Sequence, residues 1–521
     1  MSADVGRPPS GGALPLWLAS LLAVLGGLAL DAAFPSWGVW PLAFVGVGLS
    51  LLSLIGRRAG GALLVGALFG AAFYFPHIDW ASRFLGDDPL RWVPWVALAG
   101  VETLFTGLGA ILITLAYRWV RRAGAGALVR LAAAPLVAGL WTARELVMGS
   151  WPYTGFPWGR IGMAFASSPL APVASWTGVA GLTFLVVLLV ALAIEGARLL
   201  RAPRALASRR GLVLVAPALL LAVLVVVPAF PTAPAGTIRV AAVQGDGPAA
   251  YLDRREAYDV LDAQIAASEP AIGADVDLVL WPEGGVDADP LADRRAAAAL
   301  DAAVGAFDAP LLMNAAVQNG ELVFNTSMLW TEEGPAGRHS KRYPVPFGEY
   351  VPQRDLYERI VPSLVGMIQR EYEPGRDAPV IDVDGTGVGL AICFDVLFDD
   401  LLQEGIREGA QVLMFQTNNA DFRGTDENLQ QLAFARMRAV ETGRSVVNVS
   451  TVGTSQVIGP DGATLQQIPA DEPGALIADV ELRDGETPAV AIGGGIRVLL
   501  LLAPIAGLVA LGARHARRRA R

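Results

Sequence analysis

Three side chains in this chain could together carry out acyl transfer: a carboxylate, an ammonium and a thiol. The thiol is Cys393, the only cysteine, at the end of the apolar run Gly387-Val388-Gly389-Leu390-Ala391-Ile392-Cys393-Phe394-Asp395. The ammonium is Lys341, the only lysine among 40 basic residues, in His339-Ser340-Lys341-Arg342-Tyr343-Pro344-Val345-Pro346-Phe347-Gly348-Glu349. A thiol can become a strong nucleophile, and a lysine, unlike an arginine, can lose its proton. Taken singly each has a bland reading: Cys393 as core filler, and Lys341 as what remains after a codon bias that favours arginine. The carboxylate is Glu283, in Leu278-Val279-Leu280-Trp281-Pro282-Glu283-Gly284-Gly285. Pro282 brings no N–H to a sheet ladder, so the strand should end there and present Glu283 at its edge. Glu283 could take the thiol proton, and the thiolate could attack an acyl carbon to give a covalent acyl-enzyme. Lys341 could hold the anionic oxygen of the tetrahedral intermediate and favour the thiolate by proximity.

These residues need strand ends to hold them, because strand ends of α/β sheets are where such sites assemble. From about residue 231 to 494 the chain alternates β-rich runs with helical ones. Strands are expected at 238–244, 276–281, 310–315, 322–330, 378–383, 387–393, 411–416, 445–450, 453–458 and 475–480. Helices are expected near 252–268, 290–306, 397–408 and 425–442. The alternation argues for an α/β layered domain, with two packed sheets covered by helices. Pro231-Thr232-Ala233-Pro234-Ala235-Gly236 reads as the connector leading into it, and no internal repeat is visible.

The rest of the chain is of a different kind. A hydrophobic content of 53%, charge of only 17% and a mean hydropathy of +0.46 describe a membrane protein with a soluble part. Seven apolar stretches, at about 13–32, 37–55, 60–77, 93–117, 130–148, 171–197 and 211–230, crowd the first 230 residues, and an eighth lies at about 495–513. Most reach the ~20 residues needed to cross hydrocarbon. The first stretch, flanked only by Arg7 and followed at once by further spans, does not read as a cleaved signal peptide. Arginines cluster in alternate loops: Arg57-Arg58; Arg118, Arg121, Arg122 and Arg130; then Arg198, Arg201, Arg204, Arg209 and Arg210. The C-terminal tail adds Arg514, Arg517, Arg518, Arg519 and Arg521. Under the positive-inside rule both termini are cytoplasmic and residues 231–494 lie outside. The expected organisation is a membrane domain of seven helices over 1–230, a catalytic domain over 231–494, and an eighth helix with a basic tail over 495–521.

The composition also excludes. A net charge of −9 without a basic stripe argues against nucleic acid, and one cysteine rules out an internal disulfide. His77, His339 and His515 are too scattered to form a metal site. Only His339 lies near the candidate chemistry, where a Cys–His dyad is the alternative pairing.

Trp281-Pro282-Glu283, Lys341 ahead of Pro346-Phe347-Gly348-Glu349-Tyr350-Val351-Pro352, and Ile392-Cys393-Phe394-Asp395 resemble the Glu-Lys-Cys triad of the nitrilase (carbon–nitrogen hydrolase) superfamily. The run Ala435-Arg436-Met437-Arg438-Ala439-Val440-Glu441-Thr442-Gly443-Arg444 resembles its structural helix. The long Pro-Phe-Gly-Glu-Tyr-Val-Pro block and the flanking membrane stretches narrow the resemblance to the apolipoprotein N-acyltransferases, over essentially the whole chain. That resemblance implies an α-β-β-α sandwich beside eight transmembrane helices. It implies a ping-pong transfer in which Cys393 takes an acyl chain from a phospholipid and passes it to the α-amine of a diacylglyceryl-cysteine at a lipoprotein N-terminus. It implies no cofactor and no metal, a bilayer as partner, and a site on the outer face of the bacterial cytoplasmic membrane; nothing in the sequence demands a partner subunit, so a monomer is expected.

Supporting positions follow from the same resemblance. Glu349 matches a second carboxylate, which orients Lys341 or supports the intermediate, or else is a solvated loop charge. Asn418 matches a polar position beside the site, or is a turn asparagine. Phe394-Asp395 stands where relatives commonly carry Tyr-Glu, a departure expected to alter the oxyanion surroundings. Tyr251 stands where an aromatic, often tryptophan, follows the first strand, and Asp421-Phe422 where Trp-Phe is usual, in loops (345–370 and 418–427) that could form a lid. Two other functions use the same features: a membrane-tethered amidase that passes its acyl group to water, or a lipid-binding transporter or receptor. The transporter would need charged residues within spans, for which Glu102 and Glu145 are the candidates, with no paired cation expected.

Overall fold

The computed structural model describes residues 14–123, 129, 131–200 and 210–520. Arg7, Arg130, Arg201, Arg204, Arg209 and Arg521, used above for orientation, lie outside the described residues. Apolar helices occupy all eight expected stretches: α1 (Leu16–Asp31), α2 (Leu42–Leu54), α3 (Ala59–His77), α4 (Trp92–Ala123), α5 (Ala133–Met148), α6 (Ala174–Leu200), α7 (Arg210–Val226) and, at the other end of the chain, the helix Pro488–Ala520. Four segments are long and apolar enough to cross a membrane: Ala59–His77, Trp92–Arg121, Ala171–Leu200 and Pro488–Arg518. Leu16–Asp31, Leu42–Leu54 and Val215–Val226 are apolar but shorter. The last helix starts seven residues before the expected stretch, so it begins inside the α/β domain rather than after it. Small residues let the helices approach: a Cβ on Gly27 would lie 2.5 Å from the Phe69 carbonyl oxygen, and one on Gly66 would lie 2.4 Å from the Ala110 Cβ. Glu145 has a cation after all, with an Arg144 guanidinium nitrogen at 3.4 Å and the Trp141 indole N–H at 2.9 Å.

The α/β domain contains twelve strands among the described residues: β1 (Ala233–Gln244), β2 (Leu278–Leu280), β3 (Leu311–Asn319), β4 (Leu322–Thr331), β5 (Gly334–Ser340), β6 (Val380–Val383), β7 (Thr386–Ile392), β8 (Val412–Thr417), β9 (Val446–Ser450), β10 (Ser455–Ile458), β11 (Thr464–Ile468) and β12 (Gly474–Asp484). They form two six-stranded sheets, ordered β12-β1-β2-β3-β4-β5 and β6-β7-β8-β9-β10-β11. Each sheet has the same alternation: an antiparallel pair, two parallel pairs, then two antiparallel pairs. The domain is thus two topological copies face to face, although no repeat is visible in the residues themselves. The expected connector is shorter than 231–236, because Ala233 and Pro234 already pair with Asp484 and Arg483. The expected helix at 252–268 is confined to α8 (Asp259–Ser268), preceded by Tyr258 at φ 75°.

Period-two patterning sorts the side chains. Ile238, Val240 and Ala242 of β1 face the inter-sheet core with Leu278, Leu280, Leu390, Val412, Met414 and Val447. Ala241 and Val243 face outward, against α8 and α9 (Arg294–Phe307). The outer face of the second sheet, with Ala391, Leu413 and Phe415, is covered by α10 (Asp399–Arg407) and α11 (Glu427–Thr442). Those two helices share one continuous apolar core with the membrane-type helices. The helical half therefore replaces solvent on one face of the sandwich. A buried ion cluster secures the seam: Asp399 binds Arg160 at 2.9 Å, Arg438 at 2.7 Å and Arg497, on the final helix α12 (Pro488–Ala520), at 3.5 Å. Burial alone would push the Asp399 carboxyl up, but the three guanidinium groups hold it well below the usual carboxylate range.

Candidate active site

The candidate groups sit at strand ends, those of the parallel strands β2, β7 and β8 and of the antiparallel β5. β2 ends at Leu280, and Pro282 with Gly284 (φ 64°) turns the chain sharply so that Glu283 projects inward. Gln416, at the end of β8, crosses between the sheets to anchor this turn, its amide N–H donating to the Trp281 carbonyl at 2.6 Å. β7 ends at Ile392, and Cys393 sits in the left-handed region at φ 51° as the first residue of a short 3-10 turn, Cys393–Leu397. A non-glycine residue held there is a strained arrangement of the kind found at functional sites. Arg438 and Arg160 secure the far side of that turn by donating to the carbonyls of Val396 and Leu397.

Lys341 follows β5 directly. Its backbone N–H donates to Asn325 O at 2.8 Å, and its carbonyl accepts from Gly375 N at 2.8 Å. The residue is only 1% exposed. The ammonium lies 3.1 Å from Glu283 Oε1 and 2.9 Å from Glu349 Oε2. Burial would depress this ammonium, but the Glu283 and Glu349 carboxylates outweigh it and hold its pKa well above the ordinary lysine value. Burial pushes the Glu283 carboxyl up, with Lys341 opposing. Burial likewise pushes the Cys393 thiol well up, Glu283 adding to the rise and Lys341 opposing it. At rest the site therefore holds a protonated thiol beside a lysine ammonium flanked by two carboxyl groups.

Glu349 is no solvated loop charge, since it accepts from Lys341, from Val345 N at 2.7 Å and from Asn325 Nδ2 at 3.2 Å. Asp395 is fully buried and accepts from Tyr343 N at 2.8 Å and Arg342 N at 3.2 Å, so it ties the lysine segment to the Cys393 turn. Burial raises its carboxyl to about 7. Phe394 points the other way, stacking on Phe156 of the helical half with ring centroids 6.2 Å apart. Asn418 joins loops rather than the triad: it donates to Ala249 O at 3.1 Å and accepts from Thr451 Oγ1 at 2.8 Å. His339 does not enter a dyad. It is buried against the Ala378 carbonyl at 3.1 Å, and burial lowers its pKa to about 4, leaving it neutral. Tyr251 links the loops around it, its backbone N–H donating to Asp421 and its hydroxyl to Met367 O, while Phe422 packs edge-on against Trp80.

Three polar residues escaped the sequence reading. Asn325 donates to Glu283 Oε1 at 2.7 Å and is itself oriented by Asn314 at 2.9 Å. Asn314 and Asn325 interrupt apolar strands, and buried amides demand partners, which is the signal that could have found them. The third, Gln431 on α11, donates to Cys393 Sγ at 3.4 Å.

Residues 26–192 match the apolipoprotein N-acyltransferase N-terminal domain, and residues 239–487 match the carbon-nitrogen hydrolase family. The apolipoprotein N-acyltransferase of Mycolicibacterium smegmatis is 34% identical, over 94% of this chain and 84% of that one. The chain belongs to the apolipoprotein N-acyltransferase family. Its relative of that name from Azotobacter vinelandii is 30% identical, over 94% of this chain and 95% of its own length. Among solved structures, an amidase of the nitrilase superfamily from Nesterenkonia is 20% identical over 48% of this chain and 92% of its own, with a TM-score of 0.37. A nitrilase-superfamily member from Saccharomyces cerevisiae is 19% identical over 50% and 95%, also with a TM-score of 0.37. Family membership agrees with the two halves seen here, a bundle of apolar helices and an α/β domain of two sheets.

Proposed function

We propose that this chain transfers a fatty acyl group from a membrane phospholipid to the N-terminal α-amine of a diacylglyceryl-cysteine lipoprotein, through a thioester on Cys393. The observations that carry the reading are a lysine ammonium buried between two carboxylates just after β5 and the strained cysteine turn at the end of β7, which Asp395 ties to the lysine segment.

In the first half-reaction Glu283 takes the thiol proton as the sulfur attacks the ester carbonyl of the donor. The Lys341 ammonium stabilises the oxyanion of the tetrahedral intermediate. Collapse breaks the ester C–O bond, the alkoxide leaves with the proton from Glu283, and the products are a thioester and a lysophospholipid. In the second half-reaction the lipoprotein amine attacks the thioester carbon, Glu283 accepts the amine proton, and the C–S bond breaks. The thiol is regenerated with that proton and the amide is released. Protons and electron pairs balance without a metal or an organic cofactor. Glu349 acts by positioning Lys341, and Asp395 by fixing the lysine segment to the nucleophile turn.

A lipid donor requires the site to lie against apolar surface, and Phe394 stacked on Phe156, beside Trp80 and Trp158, supports that placement. The same reading takes all eight helices as spans, with 1–230 and 495–521 forming the membrane part. Residues 231–494 then face the extracytoplasmic side, both termini are cytoplasmic, and the working unit is a monomer. The test supplies membranes with phospholipid and a diacylated lipopeptide. N-acylated peptide from the unaltered chain and none from Cys393→Ala is the expected result. Free fatty acid without N-acylated peptide would show an amidase-type hydrolase, and full N-acylation by Cys393→Ala would overturn the mechanism.

A further inference from the structure

We infer that Gln431 is a catalytic residue that donates an N–H to the sulfur of Cys393, and that Asn419 positions it for this task. The inference rests on Cys393 being the nucleophile, as proposed above, and adds a group that favours its ionised form without adding charge.

The argument begins with the direction of each hydrogen bond. Ser450 Oγ accepts from the backbone N–H of Gly453 at 2.9 Å and gives its single proton to Asn419 Oδ1 at 2.6 Å. With its oxygen engaged, Asn419 turns its amide NH2 toward α11, where it donates to Gln431 Oε1 at 2.7 Å and Glu427 Oε2 at 2.8 Å. Gln431 Oε1 is thereby occupied, and its NH2 faces Cys393 Sγ at 3.4 Å. The sense of the two amides is the one the hydrogen-bond network as a whole assigns, with Asn419 Oδ1 on the Ser450 hydroxyl and its NH2 on two acceptors of α11. Room for the relay is tight: a Cβ on Gly453 would lie 2.3 Å from Asn419 Oδ1. Ser450, Asn419, Gln431 and Glu427 are all at most 5% exposed.

A reason for such a donor lies in the charges that act on the thiol, those of Glu283, Lys341 and Glu427. The two carboxyl groups oppose formation of a thiolate, and so does burial. The lysine favours it but is shared between Glu283 and Glu349. A neutral N–H aimed at sulfur assists the thiolate during attack and again when it leaves the thioester. It does so without a second cation, which would compete with Lys341 for the same carboxylates. α11 therefore contributes to the chemistry itself and does more than cover the sheet.

Because Cys393 is the only cysteine, alkylation of the full-length protein in detergent micelles reports on this sulfur alone. The measurement is the iodoacetamide rate against pH, followed by intact-protein mass spectrometry. Losing a hydrogen bond to a charged acceptor shifts an ionisation by about one pH unit or more. In Gln431→Met, of similar length but without an N–H, the midpoint should rise by about one unit, and alkylation below both midpoints should slow about tenfold. Gln431→His, which keeps an N–H, should hold the midpoint at or below that of the unaltered chain. An unchanged or lowered midpoint in Gln431→Met overturns the inference, as does an equal rise in both variants, which would mean packing alone. Failure of the underlying reading looks different, because Cys393→Ala would then retain N-acylation whatever the alkylation profiles show.

Discussion

Removing the lone lysine tests the electrostatics of the site most directly. The Lys341 ammonium lies 3.1 Å from Glu283 and 2.9 Å from Glu349, with the first two side chains buried and that of Glu349 17% exposed. At about 3 Å and an effective dielectric of about 20, each contact is worth roughly 5 kcal/mol of attraction before desolvation. Truncating one member of a buried ionic group typically costs about 3–5 kcal/mol net, because the remaining charges lose their counter-charge. Lys341→Met should therefore lower stability by about 3–5 kcal/mol, with two carboxyl groups left sharing the Asn325 amide. Adding Glu349→Gln removes one of them and should return about 1–3 kcal/mol, a coupling of the size found between directly contacting residues. The assay is unfolding in mixed micelles followed by tryptophan fluorescence. N-acylation of a diacylated lipopeptide, measured in parallel, should fall about 100- to 1000-fold in both variants, since the proposed oxyanion donor is gone. A cost below about 1 kcal/mol for Lys341→Met would refute the reasoning. So would a double variant in which the Glu349→Gln loss adds in full.

Two further outcomes follow from buried groups around the same site. Burial raises the Glu427 carboxyl to about 8 against its ordinary 4.5, so its contribution to stability is complete below about 4.5 and is lost as pH rises through 8. Glu427→Gln keeps an acceptor for Asn419 and should flatten the decline in melting temperature between about pH 5 and 8; an unchanged slope would show that Glu427 does not titrate there. A Cβ on Gly375 would lie 2.0 Å from the Ser340 carbonyl oxygen, next to the residue whose carbonyl Gly375 N holds. Gly375→Ala should cost about 1–3 kcal/mol by overpacking and, by displacing Lys341, lower the N-acylation rate more than tenfold; a variant with wild-type kcat would contradict that placement.

Much of this architecture is legible from residue type and pattern. Eight apolar stretches become eight helices because length and composition suffice to specify them. Of the twelve strands, β5 and β11 escaped. β5 reads Gly-Pro-Ala-Gly-Arg-His-Ser and has little strand preference of its own; it is a strand because it pairs with β4, register Thr326 to Ser340 through Thr331 to Gly334. β11 has four exposed residues of five and exists by pairing with β10. Such edge strands are made by their neighbours rather than by local propensity.

The sequence by itself determined which atoms could react. One thiol, one ammonium and a carboxylate after Pro282 are facts of residue identity, and each was expected at or near a strand end. Tertiary structure alone decided what surrounds them. It turned Glu349 from a loop charge into a partner of Lys341, took His339 out of the chemistry, and sent Phe394 to the helical half. It also brought Gln431, 38 positions further along the chain, within hydrogen-bond distance of the sulfur. The physical reason is that hydrogen-bond direction and desolvation depend on which elements meet. Those meetings depend on two sheets whose matching topologies leave no trace as a repeat in the chain.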